Sequence, residues 1–214
     1  MNAPEQKPLP RWTRRKDARP EEIIAAALEL FVERGYAAAR LEDVAARAGV
    51  SKGTLYLYFK NKEELIKAVV RSNVVPVLQH GEELAQQFSG SSAELVRKLV
   101  YGWWELTGST KIAGIPKLII AEAGNFPDLA KFYHDEVIQR GQSLFRRVLQ
   151  RGIDLGEFRE VDIDNTIHVA MAPLLMLALW RHSFACCERK KLQPLRYLDT
   201  YLDLLLHSLR KVQA

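Results

Sequence analysis

Apolar positions recur at helical spacing along the whole of this chain, with no alternating stretch of useful length and no repeat at a fixed period. The sharpest pattern runs from Arg40 to Phe59. Leu41, Val44, Ala45 and Ala48 fall at i, i+3, i+4 and i+7, so they share one helical face. Gly49 follows, where a tight turn asks for positive φ. Ser51 is a good N-cap for a second short helix, and Val50 and Leu55 supply apolar contacts between the two. Ala45 is small where the helices must approach. The pattern predicts a helix-turn-helix.

Flanking segments extend the helical reading. Ile23, Ala27, Leu30 and Phe31 mark a stripe on an earlier helix, with Pro20, Glu21 and Glu22 in its opening turn and Gly35 beyond its end. Asn61 and Glu64 have capping-box spacing before a fourth helix, expected to run from Lys62 into the 80s with a bend at Pro76. Ser92 is expected to cap a helix reaching about Leu106. Further helices are expected over about 111–123, 125–156, 163–186 and 194–211. The 163–186 segment is apolar nearly all round, and Leu195, Leu198, Leu202, Leu205 and Leu209 form a near-heptad seam in the last one. The prediction is an all-α chain: an arm over 1–18, a three-helix helix-turn-helix domain over 19–71, and a larger helical domain over 72–214.

The second helix of the pair reads as a DNA-recognition helix. Lys52, Gly53 and Thr54 lie in its first turn, the part expected at base edges in the major groove. Gly53 costs roughly 1 kcal/mol relative to Ala inside a helix, which is easier to understand if another surface must come close. Tyr56 and Tyr58 either place their hydroxyls on phosphates or pack against neighbouring helices.

Residues 19–71 resemble the DNA-binding domain of the tetracycline-repressor-like (TetR) family of bacterial regulators. The resemblance rests on Ile23 to Phe31, Glu33 to Tyr36, the ungapped run Asp43 to Tyr56, and Phe59 with Lys62 to Leu65. One departure is Ala39 and Arg40, where the family usually has Thr or Ser just before the second helix. Arg40 cannot cap through an oxygen, but it can reach a phosphate. Lys62 sits where family members often hold a phosphate, and an ordinary solvated charge is the other reading. The resemblance also implies a homodimer built from the last two helices, here with Leu174, Ala178, Leu195, Leu198, Leu202, Leu205 and Leu209. It further implies a small-molecule effector pocket among the central helices. Trp103, Trp104, Ile119, Phe126, Tyr133, Met171 and Leu175 offer stacking and adaptable apolar wall for an apolar or aromatic effector, with Glu122 as a polar anchor; plain core packing is the competing reading.

Composition narrows the alternatives. Apolar residues make up 48% and charged residues 27% of the 214, a globular balance. No uninterrupted apolar run reaches the roughly 20 residues of a membrane span, and the first residues lack a signal peptide's apolar core, so a cytoplasmic protein is expected. Most of the net charge of +5 sits at the N-terminus, where Lys7, Arg11, Arg14, Arg15, Lys16 and Arg19 face only Glu5 and Asp17. Such an arm either follows DNA phosphates or serves as a solubilising tail. Phosphate-loop and dinucleotide motifs are missing, and the five histidines are scattered, so neither an enzyme nor a cofactor or metal is expected. Cys186 and Cys187 are adjacent, which strains a disulfide between them, and reduced thiols are the default. The expected function is a homodimeric repressor that leaves a palindromic operator when a small molecule binds. An activator or a corepressor-dependent regulator is equally compatible with these residues, and a helical ligand-binding protein with a purely structural helix-turn-helix is the rival from another class.

Overall fold

Caps and prolines decide most helix boundaries in this protein. A computed structural model describes residues 20–187 and 191–211, so the basic arm over 1–18 lies outside the described residues. The first four helices are α1 (Pro20–Arg34), α2 (Leu41–Arg47), α3 (Lys52–Tyr58) and α4 (Lys62–Asn73). Gly35 and Gly49 take φ of 82° and 70°, the left-handed turns that end α1 and join α2 to α3. Ser51 caps α3, its Oγ accepting from the Thr54 N–H at 3.1 Å. Asn61 caps α4 through the Glu64 N–H at 2.8 Å, while the Glu64 carboxylate reaches back to the Lys60 N–H at 2.8 Å.

The expected bend at Pro76 is a break. Helix α4 ends at Asn73 and α5 (Val75–Gln87) starts afresh, because proline has no N–H to continue the ladder and fits a first turn well. Helix α6 (Ser92–Trp103) is capped by Ser91 rather than Ser92: Ser91 and Glu94 form a reciprocal capping box, and Ser92 is buried. A π-helical turn (Trp104–Gly108) and a short 3-10 turn (Lys111–Ala113) lead into α7 (Gly114–Glu122). Helix α8 (Pro127–Tyr133) passes through a second π-helical turn (His134–Ile138) into α9 (Gln139–Asp154), and α10 (Ile163–Arg181) and α11 (Pro194–Leu209) complete the order.

Two apolar cores form. One joins α1–α4 to α7, α8 and the turn after it, through Phe31, Leu55, Ile66, Ile115, Ile119, Leu129, Tyr133 and Val137. The other unites α6, α9, α10 and α11 around Leu95, Leu149, Ile167, Leu177, Leu198 and Leu202. Helix α7 starts hard against α1, where a Cβ on Gly114 would lie 2.7 Å from Val32 Cγ1. The boundary expected at residue 71 therefore divides the sequence and not the core. A unit as small as α1–α4 buries a low fraction of its surface, and α7 and α8 complete the burial.

The leucine seam of α11 faces inward, so most of the expected dimer contacts lie in their own chain's core. Leu198, Leu202, Leu205 and Leu209, with Leu174 and Ala178 of α10, are buried in their own chain; of the seven only Leu195 is exposed, at 57%. A heptad-like spacing marks an apolar face without saying what covers it. With Leu195, the large apolar residues left outside on these two helices are Val169, Leu175 and Met176 on α10 and Leu204 on α11. Pro173 interrupts the α10 ladder, and α11 supplies donors there: Tyr201 Oη donates to the Ala170 carbonyl at 2.7 Å and Tyr197 Oη to the Pro173 carbonyl at 3.1 Å. With 19 residues and a mean hydropathy of 1.3, α10 is long and apolar enough to cross a membrane, yet Asp164, Asn165 and His168 interrupt it and one side is core.

Candidate DNA interface and its junction with the helical domain

Helix α3 is anchored by one side chain. Leu55 is fully buried between α2 and α3, and at 100° per residue Gly53 and Leu57 each lie roughly 160° around the helix from it. Those two residues form the outer crest. Tyr56 and Tyr58 are exposed beside it, and Leu57 is 83% exposed. Among the described residues nothing demands glycine at 53: its φ is not positive, and a Cβ would meet only Ser51 Oγ at 3.8 Å.

The polar residues expected at base edges are already engaged. Lys52 Nζ is 2.5 Å from Glu42 Oε1 and 5.8 Å from the Tyr56 ring centroid. That hydrogen bond raises the Lys52 pKa and holds the Glu42 carboxyl below its ordinary value. Thr54 shares its hydroxyl with Ser51 Oγ at 2.8 Å. Arg40 begins α2 without a side-chain cap and stands exposed; its carbonyl accepts the Asp43 and Val44 N–H groups, and its guanidinium forms no hydrogen bond or ion pair among the described residues.

Lys62 departs from expectation. Its ammonium donates to the carbonyls of Tyr36 at 2.7 Å, Ala37 at 3.0 Å and Ala39 at 3.2 Å, and lies 4.6 Å from the Tyr36 ring centroid. An ammonium has three protons, so none remains for a phosphate. Burial pushes its pKa down, partly offset by Glu122. Lys62 staples the α1–α2 turn, a role its place in the sequence motif could not reveal.

The same turn is gripped from the other side. Glu122, at the end of α7, accepts the Ala37 N–H at 3.1 Å, and Asn125 Nδ2 approaches its second oxygen at 3.4 Å. Phe126 packs edge-on against Tyr36 with centroids 4.8 Å apart. Arg71 of α4 pairs with Glu136, and Lys111 with Glu29 of α1. The eight expected effector residues are therefore not brought together. Glu122 and Phe126 belong to this junction, and Ile119 and Tyr133 are buried in the first core. Trp103, Trp104 and Met171 join the second core, and Leu175 points outward. Arg181 lies 5.1 Å above the Trp104 ring and donates to the Gly108 carbonyl. Beside it, His182 buries an Nε2 that has no hydrogen-bond partner among the described residues. A cleft of about 360 Å³ opens elsewhere, lined by Arg97, Glu157, Phe158, Asp203, His207 and Arg210 among others, and none of the eight touches it.

Comparison with known proteins agrees with this architecture. Residues 23–69 match the family model of bacterial regulatory proteins of the tetR family, and residues 88–185 that of a tetracyclin repressor-like C-terminal domain. The Bacillus subtilis (strain 168) HTH-type transcriptional regulator YfiR is 30% identical over 158 residues, 71% of this chain and 74% of that protein. The chain belongs to the TetR family. The fatty acid metabolism regulator protein of the same organism is 28% identical over 147 residues, 68% of this chain and 74% of the relative. The fold is shared with FadR from Bacillus subtilis in complex with stearoyl-CoA, at a TM-score of 0.71 and 20% identity, covering 90% of this chain and 100% of that one.

As a TetR-family chain the protein is a helix-turn-helix transcription regulator, in a family that is not enzymatic. Two features escaped the sequence reading of it. Leu57 is apolar like a core residue, but its distance of two positions from Leu55 places it on the opposite face of α3. The Tyr36–Ala37 junction carried no signal, since Ala37 contributes only a backbone N–H and its partner lies 85 residues away.

Proposed function

We propose that the protein is a cytoplasmic, homodimeric repressor that binds a palindromic operator and leaves it when an apolar effector occupies the helical domain. The observation that carries the DNA half is the exposed crest of α3 opposite the buried Leu55. A soluble fold has no internal use for three successive exposed apolar side chains, Tyr56, Leu57 and Tyr58. Two copies of α3 would enter successive major grooves roughly 34–36 Å apart, with Arg40, Tyr56 and Tyr58 positioned for phosphates. Dimerisation is assigned to the outward face of α10 and α11, with Val169, Met176, Leu195 and Leu204, because a two-fold bundle would cover the apolar area left exposed there.

The effector is assigned to the second core, between α6, α9 and α10, where Trp103, Trp104 and Met171 offer wall that can repack. A long acyl chain is the chemistry favoured, supported by the relative named for fatty acid metabolism and by the related fold that holds stearoyl-CoA. The core is packed in this structure, so the effector must favour an opened arrangement. Helix α7 is the link, since Glu122 and Phe126 grip the turn that Lys62 staples. A typical coupling of about 1–3 kcal/mol would weaken operator binding about 5–150-fold. The test is selection of bound duplexes from a random library by the full chain, followed by titration with stearoyl-CoA. Enrichment of a palindrome and release by stearoyl-CoA are expected. Failure to enrich any sequence at low salt refutes a regulator's DNA role, and tighter binding with stearoyl-CoA reverses the sign.

A further inference from the structure

The outer crest of α3 is apolar, and that restricts what it can read. Its two residues are Gly53 and Leu57, and neither offers a side-chain donor or acceptor. On the flanks, Lys52 is held by Glu42 and the Thr54 hydroxyl by Ser51. A helical side chain leans towards the helix N-terminus, so Leu57 lies over the turn that holds Gly53. There the missing Cβ leaves a dent that no atom of the described residues fills, the nearest being Ser51 Oγ at 3.8 Å from where a Cβ would stand. The result is a methyl-bearing ridge beside an indentation, with Leu57 83% exposed among the described residues.

Among the base edges displayed in the major groove, one is apolar: the C5-methyl of thymine. We infer that Leu57 is a specificity-determining residue that packs against a thymine C5-methyl in each half-site, with Gly53 allowing the close approach. This inference rests on the DNA-binding reading above. It predicts selectivity through shape and desolvation, with the charged residues near α3 supplying affinity instead.

The experiment uses the duplex that the full chain selects from a random library. Each thymine is replaced in turn by uracil, symmetrically in both half-sites, which deletes the methyl and leaves the base-pairing edge unchanged. Affinities are measured for the unaltered protein and for Leu57→Ala, which should keep its melting temperature because the side chain is 83% exposed. Losing one buried methyl corresponds to about four-fold in affinity, hence about fifteen-fold for two half-sites. One thymine should show that loss with the unaltered protein and nearly none with Leu57→Ala. The salt dependence of binding should be the same for both proteins, since no phosphate contact is removed. Equal uracil penalties in the two proteins at every thymine overturn the role of Leu57 and leave the patch to a protein partner. Failure to select any duplex overturns the DNA reading itself, a result plainly distinct from the first.

Discussion

Gly53→Ala separates folding from recognition at a single methyl. Gly53 lies in the first turn of α3 with ordinary helical backbone, and the added Cβ would make one van der Waals contact, 3.8 Å from Ser51 Oγ. Folding should gain about 0.5–1 kcal/mol, because alanine loses less backbone entropy on entering a helix. For a chain of 214 residues that corresponds to a melting temperature higher by about 1–4 °C. Binding should move the other way. The methyl would stand on the crest, in the dent beside Leu57, and overfilling a packed contact costs about 1–3 kcal/mol, or about 5- to 150-fold in affinity per half-site. Thermal unfolding and fluorescence anisotropy on the selected duplex, run on the same preparation, read both quantities. A higher melting temperature with unchanged affinity would refute close approach at the crest. A lower one would show that the glycine serves the fold.

Lys62→Met should lower the melting temperature by several degrees, because three carbonyls lose a charged donor worth about 1.5–3 kcal/mol. An unchanged melting temperature with a salt slope reduced by about one would return Lys62 to a phosphate. Met176→Glu with Leu204→Glu, at positions 51% and 67% exposed, should give a folded monomer by sedimentation and circular dichroism. Leu198→Glu with Leu202→Glu should unfold the chain, since buried unpaired charge is severely unfavourable; an intact dimer from the first pair would move the interface. Glu122→Ala should leave ligand-free operator affinity nearly unchanged but blunt release by stearoyl-CoA, and a full response would take α7 out of the coupling. His182 gives a pH test. Burial, then Arg181 and Lys117, push its pKa below the usual 6.5, so between that lowered pKa and 6.5 the unfolded chain holds a proton that the folded chain lacks. Stability therefore rises with pH through that window and is lost on acidification. Urea midpoints between about pH 5 and 7 should flatten in His182→Asn, and an unaltered slope would assign the acid sensitivity elsewhere.

Local chemistry was legible in the sequence of this protein wherever the deciding contacts lie within a few residues. The α2–α3 turn at Gly49, the Ser51 cap, the Asn61 cap and the helical character of each segment depend on backbone conformation and hydrogen bonds spanning three or four positions. The recognition helix could be placed on the same grounds. What the tertiary structure alone decided is where each apolar face turns and which distant group meets each polar one. Leu198 and Leu202 carry the spacing of a dimer seam but fill their own chain's core, because spacing sets a face and packing selects its partner. Glu122 and Phe126 sit between pocket-like residues in sequence, yet they close on Ala37 and Tyr36 because α7 packs tightly against α1 at Gly114 and Val32. Lys62 met its three carbonyls only once the α1–α2 turn had folded back over α4. Such contacts pair groups more than 20 residues apart, and a pattern read over one or two helical turns holds no information about them.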